Sequence, residues 1–200
     1  MLFAEKYFVD NVFIRTYNFK REEISKKGGH MSKKGDRWIK HTHVFETTED
    51  PYAMKEAPAG EAICPRCKAV FKDKRWVIDE DLYEELKETD TVPQLICPGC
   101  KKAIEQYAMG YLYISGGFWE SHRGDIMKLL NNEYERARNI NPLHQIININ
   151  EEDGTTVIET TTDHLAQRLG RALYRAYKGD LEFRWSKGDK LVRVYWHRDK

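Results

Sequence analysis

The sequence predicts an α+β protein in two units, on three observations. Two Cys-x-x-Cys pairs enclose 29 residues near the middle of the chain. Beyond them, strand and helix patterns run β-α-β-β-α-β with one further strand. No apolar run reaches the ~18 residues of a membrane-spanning helix, so no membrane association is expected. The chain has 200 residues, is 40% hydrophobic and 32% charged, and carries a net charge of +1. That composition suits a soluble globular protein and shows no overall basic field.

The first fourteen residues include Glu5 and Asp10 and lack the apolar core and cleavage site of a secretory signal. A cytoplasmic location is expected. Residues 26–31 read Lys-Lys-Gly-Gly-His-Met. Codons for Lys-Gly-Gly can contain a bacterial ribosome-binding sequence just before the ATG of Met31. Residues 1–30 are therefore either an over-extended reading frame that is not translated or a genuine N-terminal extension. Residues 31–60 lack periodicity and hold Lys33, Lys34, Arg37, Trp38, Lys40, His41 and His43. They read as a flexible basic arm, so that 1–60 precedes the first folded unit.

Residues 61–106 form the metal module. Its pairs are Cys64-Pro65-Arg66-Cys67 and Cys97-Pro98-Gly99-Cys100. Each pair can turn two thiolates toward one ion, and two pairs complete a closed tetrahedral set. In a reducing compartment this spacing reads as one structural Zn2+ in a zinc ribbon rather than as disulfides. All four positions being cysteine leaves no open site for a metal-bound water. The spacing also resembles that of rubredoxin, which implies iron and electron transfer, although Lys68 and Lys101 stand where rubredoxin knuckles carry glycine. Between the pairs, Ala69–Phe71 and Trp76–Ile78 read as short strands around a tip at residues 72–75. Residues 66–76 hold five bases and one acid, and residues 79–90 hold seven acids and one lysine. The latter read as a helix starting at Asp79 with Leu82 and Leu86 on one face. A second short helix follows through Gln106.

Residues 107–200 form the second unit. Tyr111–Ile114 is a strand stopped by Gly116-Gly117, and residues 118–138 are a helix burying Ile126, Leu129, Leu130, Tyr134 and Ala137. Gln145–Asn150 and Thr155–Thr161 are strands joined at Asp153-Gly154, a favoured hairpin turn. Asp163 starts a helix that runs to Tyr177 and stops at Gly179. Leu181–Trp185 and Leu191–Trp196 form a last hairpin around Lys187-Gly188. The order predicts a ferredoxin-like βαββαβ(β) domain, with two helices on one face of an antiparallel sheet.

Arg168, Arg171, Arg175 and Lys178 fall within roughly an 80° arc of the second helix, taking ~100° per residue. Leu165, Leu169, Ala172, Leu173 and Ala176 lie opposite and are expected in the core. No acid follows Asp163 in this helix. A face kept only for solubility more often mixes signs, so the stripe is a candidate for phosphate contacts, with Lys72, Lys74 and Arg75 of the ribbon tip assisting. A solvated surface is the alternative. Tyr111 and Tyr113 share one strand face, as do Arg193, Tyr195 and His197. Such residues can stack bases as in RNA-recognition motifs, or can be half-buried packing groups.

Catalytic motifs are missing: there is no Walker loop, Gly-x-Gly-x-x-Gly or Gly-x-Ser-x-Gly. His122 beside Gly116-Gly117 either meets a phosphate at the helix start or is a surface histidine. His144 and His164 fall near element boundaries without an evident partner. The expectation is a non-enzymatic protein with no small-molecule substrate.

Ile63 through Cys67, Arg75-Trp76, Cys97 through Cys100 and Gly110 through Gly116 together resemble a family of uncharacterised bacterial zinc-ribbon proteins. Thr161 through Ala166, Tyr177-Lys178-Gly179 and the last hairpin distantly resemble the nonsense-mediated-decay-protein-three family of ribosome export adaptors. That family joins a cysteine-rich zinc region to α/β domains and binds the large ribosomal subunit. This chain has four cysteines where the adaptor has about twice as many, and it lacks the adaptor's long downstream domains. The resemblance implies contact with RNA or the ribosome and does not carry export. The leading expectation is therefore a zinc-stabilised RNA- or ribosome-binding adaptor. A protein-interaction module using the acidic 79–90 segment is one alternative, and a rubredoxin-like iron electron carrier is the other.

Overall fold

Twelve elements occupy the described residues, which are 50–52, 58–186 and 190–200 of a computed structural model. The start at Met31, the basic residues of the arm and the Lys187-Gly188 turn lie outside them.

The first sheet is a small antiparallel ribbon of β1 (Ala62–Ile63), β2 (Ala69–Lys72) and β3 (Arg75–Ile78). Lys72 pairs with Arg75, so the tip is the two-residue loop Asp73-Lys74. Both loop residues have positive φ (50° and 63°), as a turn matching the strand twist requires. Helix α1 (Glu80–Lys87) begins where expected, because the Asp79 side chain accepts a hydrogen bond from the Leu82 N–H. It buries Tyr83 and Leu86 against Ile63 and Val70. Helix α2 (Pro98–Ile104) starts inside the second cysteine pair rather than after it.

The second sheet has five strands: β4 (Gly110–Ser115), β5 (Ile146–Glu152), β6 (Thr155–Thr160), β7 (Asp180–Trp185) and β8 (Val192–His197). Helices α3 (Gly117–Ile140) and α4 (Asp163–Tyr177) connect them. Asp153-Gly154 makes the β5–β6 turn with φ of 47° and 74°. One face of the sheet packs on α3 and α4 through Leu112, Ile114, Ile158, Val192, Val194 and Trp196, all fully buried. Helix α4 approaches closely at Gly170, where a Cβ would lie 2.5 Å from Val194 Cγ1. Gly170→Ala is therefore expected to destabilise the protein by about 1–3 kcal/mol, the usual cost of overpacking. Urea denaturation checks this, and an unchanged midpoint would contradict the contact.

The strand order is β5-β6-β4-β8-β7. The ferredoxin-like expectation needs correcting here. That pattern would place β7 beside β4 in an antiparallel sheet. Instead β8 occupies that place and pairs parallel to β4, with β7 displaced to the edge. Burial explains the choice. Val192, Val194 and Trp196 of β8 are fully buried, whereas Asp180, Glu182 and Arg184 of β7 are exposed. Both strands turn an apolar row to the core, Leu181, Phe183 and Trp185 of β7 being half-buried there, but β7 carries charge at every outward position and takes the edge. Ala176, expected in the core, is exposed in the last turn of α4.

The two units meet along the connection between α3 and β5. Gly99 of the second cysteine pair lies flat on this connection, and a Cβ there would sit 2.7 Å from Leu143 Cα. From α3, Arg138 donates a hydrogen bond to the Cys67 carbonyl at 3.2 Å. Residues 50–52 dock on α2 through Asp50 to Lys102 (2.6 Å) and the Tyr52 hydroxyl to Glu105.

Candidate metal centre and nucleic-acid interface

Cys64 and Cys67 flank a tight turn between β1 and β2. Its backbone is closed by Lys68 N–H to Cys64 O (2.9 Å) and Cys64 N–H to Ala69 O (2.8 Å). Lys68 sits at φ 60°, the left-handed position that glycine more often fills. Cys97 and Cys100 sit on the first turn of α2, with Pro98 at its start. All four cysteines are buried and free, and their sulfurs lie within 4.8 Å of one another. Cys67 and Cys97 Sγ are 3.6 Å apart. A tetrahedron with ~2.3 Å metal–sulfur bonds has edges of about 3.8 Å, so the donor set fits one metal ion.

The surrounding backbone supports thiolates. Cys97 N–H points to Cys64 Sγ at 3.5 Å and Cys100 N–H to Cys97 Sγ at 3.4 Å. Four sulfurs this close share protons unequally. Hydrogen bonding from Cys100 lowers the pKa of both Cys64 and Cys67. Cys97 and Cys100 are driven the other way, chiefly by Cys100 and Cys64 respectively, with burial adding to both. A dication relieves this frustration by favouring the thiolate at every position.

The basic residues singled out from the sequence divide into two groups. Arg168 donates from Nε to Glu133 of α3 at 3.2 Å, and Lys72 pairs with Asp79 at 2.6 Å. The second pair draws Asp79 down and Lys72 up in pKa. These two cations therefore already have anionic partners. Arg171 hydrogen-bonds neutral Gln167 and lies 5.2 Å over the Phe183 ring, while Lys178 lies 5.6 Å over Tyr174. Arg171, Arg175 and Lys178 are exposed and form no ion pair among the described residues. Lys178 is no longer helical, with φ at 58° just past the end of α4. Lys74 and Arg75 are exposed at the ribbon tip.

The open face of the five-stranded sheet carries the tyrosines. Tyr113 stacks on Tyr195 at 4.7 Å and 11°, and Tyr111 lies 6.3 Å from Tyr113. Arg184 covers Tyr195 and Arg193 covers Tyr111. The rings use their faces on one another and on arginines, so they form a packed ladder rather than a row of free stacking platforms. His122 is likewise occupied: its ring lies 3.9 Å from Phe118 and its Nδ1 meets the Phe118 carbonyl.

One grouping was not visible along the chain. His144 and His164, twenty positions apart, line a single cleft with Lys102, Asp163, Trp185 and Lys190. His144 Nδ1 is 2.7 Å from Thr162 Oγ1, and His164 Nδ1 is 2.7 Å from Asp163 Oδ1. Burial, then the neighbouring His164 and Arg168, lowers the pKa of His144. Asp163 raises that of His164. Thr162 rather than Asp163 caps α4, its hydroxyl accepting from the Leu165 N–H.

Comparison with family models, with curated proteins and with solved structures gives no match. Among the described residues no helix is long and apolar enough to cross a membrane.

Proposed function

We propose that this protein is a non-enzymatic RNA-binding adaptor whose metal module is stapled by one Zn2+ on Cys64, Cys67, Cys97 and Cys100. The observation that carries this reading is the outward face of α4. Arg171, Arg175 and the following Lys178 stand there without acidic partners among the described residues, and no acid occurs in the helix after Asp163. Uncompensated cations in a row suit a phosphate backbone, which binds through charge and counterion release. Lys74 and Arg75 add a second basic point. The metal supplies rigidity to a module too small to hold itself together. The ribosome is the RNA assembly suggested by the distant adaptor resemblance.

Filter binding of a single-stranded oligoribonucleotide across a salt series tests the reading. Affinity is expected to fall steeply from 50 to 200 mM salt. The double variant Arg171→Glu with Arg175→Glu should bind at least tenfold more weakly at 50 mM and show a salt slope smaller by about 1.4. Lys72→Ala should change little, since Asp79 already pairs with Lys72. No binding at low salt overturns the reading. Metal analysis of the same preparation separates zinc from iron, which would colour the protein red.

A second reading rests on α1, where Glu80, Asp81, Glu85 and Glu88 are exposed. They would dock a basic protein partner. Charge reversal on α1 would then abolish capture, while the α4 variants would not.

A further inference from the structure

A cleft of about 510 Å3 lies at the seam between the metal module and the five-stranded unit. Its titratable walls come from separate parts of the chain: Lys102 from α2, His144 from the connection after α3, Asp163 and His164 from the first turn of α4, and Lys190 from before β8. Lys102 is 5% exposed and closes on Asp50, and His164 closes on Asp163. The first pair neutralises itself, and the second does so when His164 is protonated, the form that Asp163 favours. Lys190 is exposed and forms no ion pair among the described residues, and Arg171 lies close enough to His164 to act on it. With His164 protonated, Lys190 then leaves the cleft a positive excess. Both imidazoles use Nδ1 on the protein, and neither Nε2 has a hydrogen-bond partner among the described residues.

Its position relative to α4 matters as much as its charge. His164, Arg168, Arg171 and Arg175 are spaced i, i+4, i+7 and i+11, so they follow one helix face. A backbone lying on Arg175 and Arg171 is led to His164 and into the cleft. There Lys102 of α2 and its partner Asp50 also line the cleft. A terminal phosphate carries a charge of about −1.5 to −2 near neutral pH, more than an internal diester, and offers three acceptor oxygens. Lys190, and each Nε2 when it carries its proton, can donate to that group.

We propose that this cleft binds the terminal phosphate of an RNA strand whose backbone runs along α4. The inference rests on the RNA-binding reading above and adds end recognition to it.

The test uses the metal-loaded full chain and internally labelled octauridylates that carry a 5′-phosphate, a 3′-phosphate or hydroxyls at both ends. One phosphorylated form is expected to bind at least fivefold more tightly than the hydroxyl form, and Lys190→Ala should bring that preference below twofold. The two phosphorylated arms tell which end is held. Inorganic phosphate alone should shift the NMR signals of His144 and His164. Equal affinity for all three oligonucleotides overturns end recognition and leaves the α4 reading standing. Binding of none overturns both. A preference untouched by Lys190→Ala, or histidine signals indifferent to phosphate, also overturns the cleft assignment.

Discussion

Stripping the metal is expected to unfold residues 61–106 and expose four reactive thiols. The core around the cysteines is small: besides Cys64, Cys67, Cys97 and Cys100 it contains Ala62, Ala69, Phe71 and Trp76. A unit of this size buries too little apolar surface to stand without a staple. On the proposed zinc reading its folding free energy would be largely metal-binding free energy, which for structural zinc sites is about 10–16 kcal/mol. Thiol titration should find no reactive cysteine in the loaded protein and four after chelation. Protease should then cut in the 72–75 tip, while the separate core of Leu112, Ile126, Leu169 and Val194 keeps the five-stranded unit folded. Cys100→Ser should reach the same state at much lower chelator concentration. An identical melting curve with and without chelator would sink the account.

Trp196→Ala should cost about 3–5 kcal/mol, the range for removing a large buried aromatic side chain. Trp196 is fully buried in β8, and its indole N–H donates to the Lys178 carbonyl at 2.7 Å. The side chain thus ties the central strand to the end of α4 and satisfies a carbonyl released where the helix stops. Trp196→Phe keeps most of the volume and loses that hydrogen bond, so it should be much milder than the alanine variant. Denaturant midpoints for the pair separate packing from hydrogen bonding. A loss under 1 kcal/mol for Trp196→Ala would be incompatible with β8 at the centre.

Local signals in the sequence located nearly every element. Asp79 marks a helix start because a carboxylate can accept from the backbone two or three residues on. Asp153-Gly154 marks a hairpin because its turn needs positive φ. The cysteine pairs mark a metal site because the spacing itself builds the donor set. Strand order was harder to read. Alternation tells which face a residue occupies, and both β7 and β8 alternate. Both also carry an apolar row, Leu181-Phe183-Trp185 and Val192-Val194-Trp196, and only the charge at every alternate position of β7 pointed to the edge. The basic stripe had a similar limit. A helical wheel places Arg168 correctly but cannot show that Glu133, 35 positions away on α3, is its partner. The His144–His164 cleft depends on the docking of two units, and no periodicity carries that information.

The central place of β8 has a consequence for biosynthesis. Gly110–Ser115 pair with Val192–His197, so one side of β4 has no native partner until about 80 further residues have been made. At ~5–20 residues per second that interval lasts roughly 4–16 s. During it the nascent chain presents the unpaired edge of Leu112 and Ile114, an invitation to wrong pairing. Residues 61–106, by contrast, have all four cysteines by position 100 and can close around their ion early. On the proposed reading, the order of synthesis would leave a metal-folded head waiting on an unfinished sheet. The last strand made is the one that seals the core.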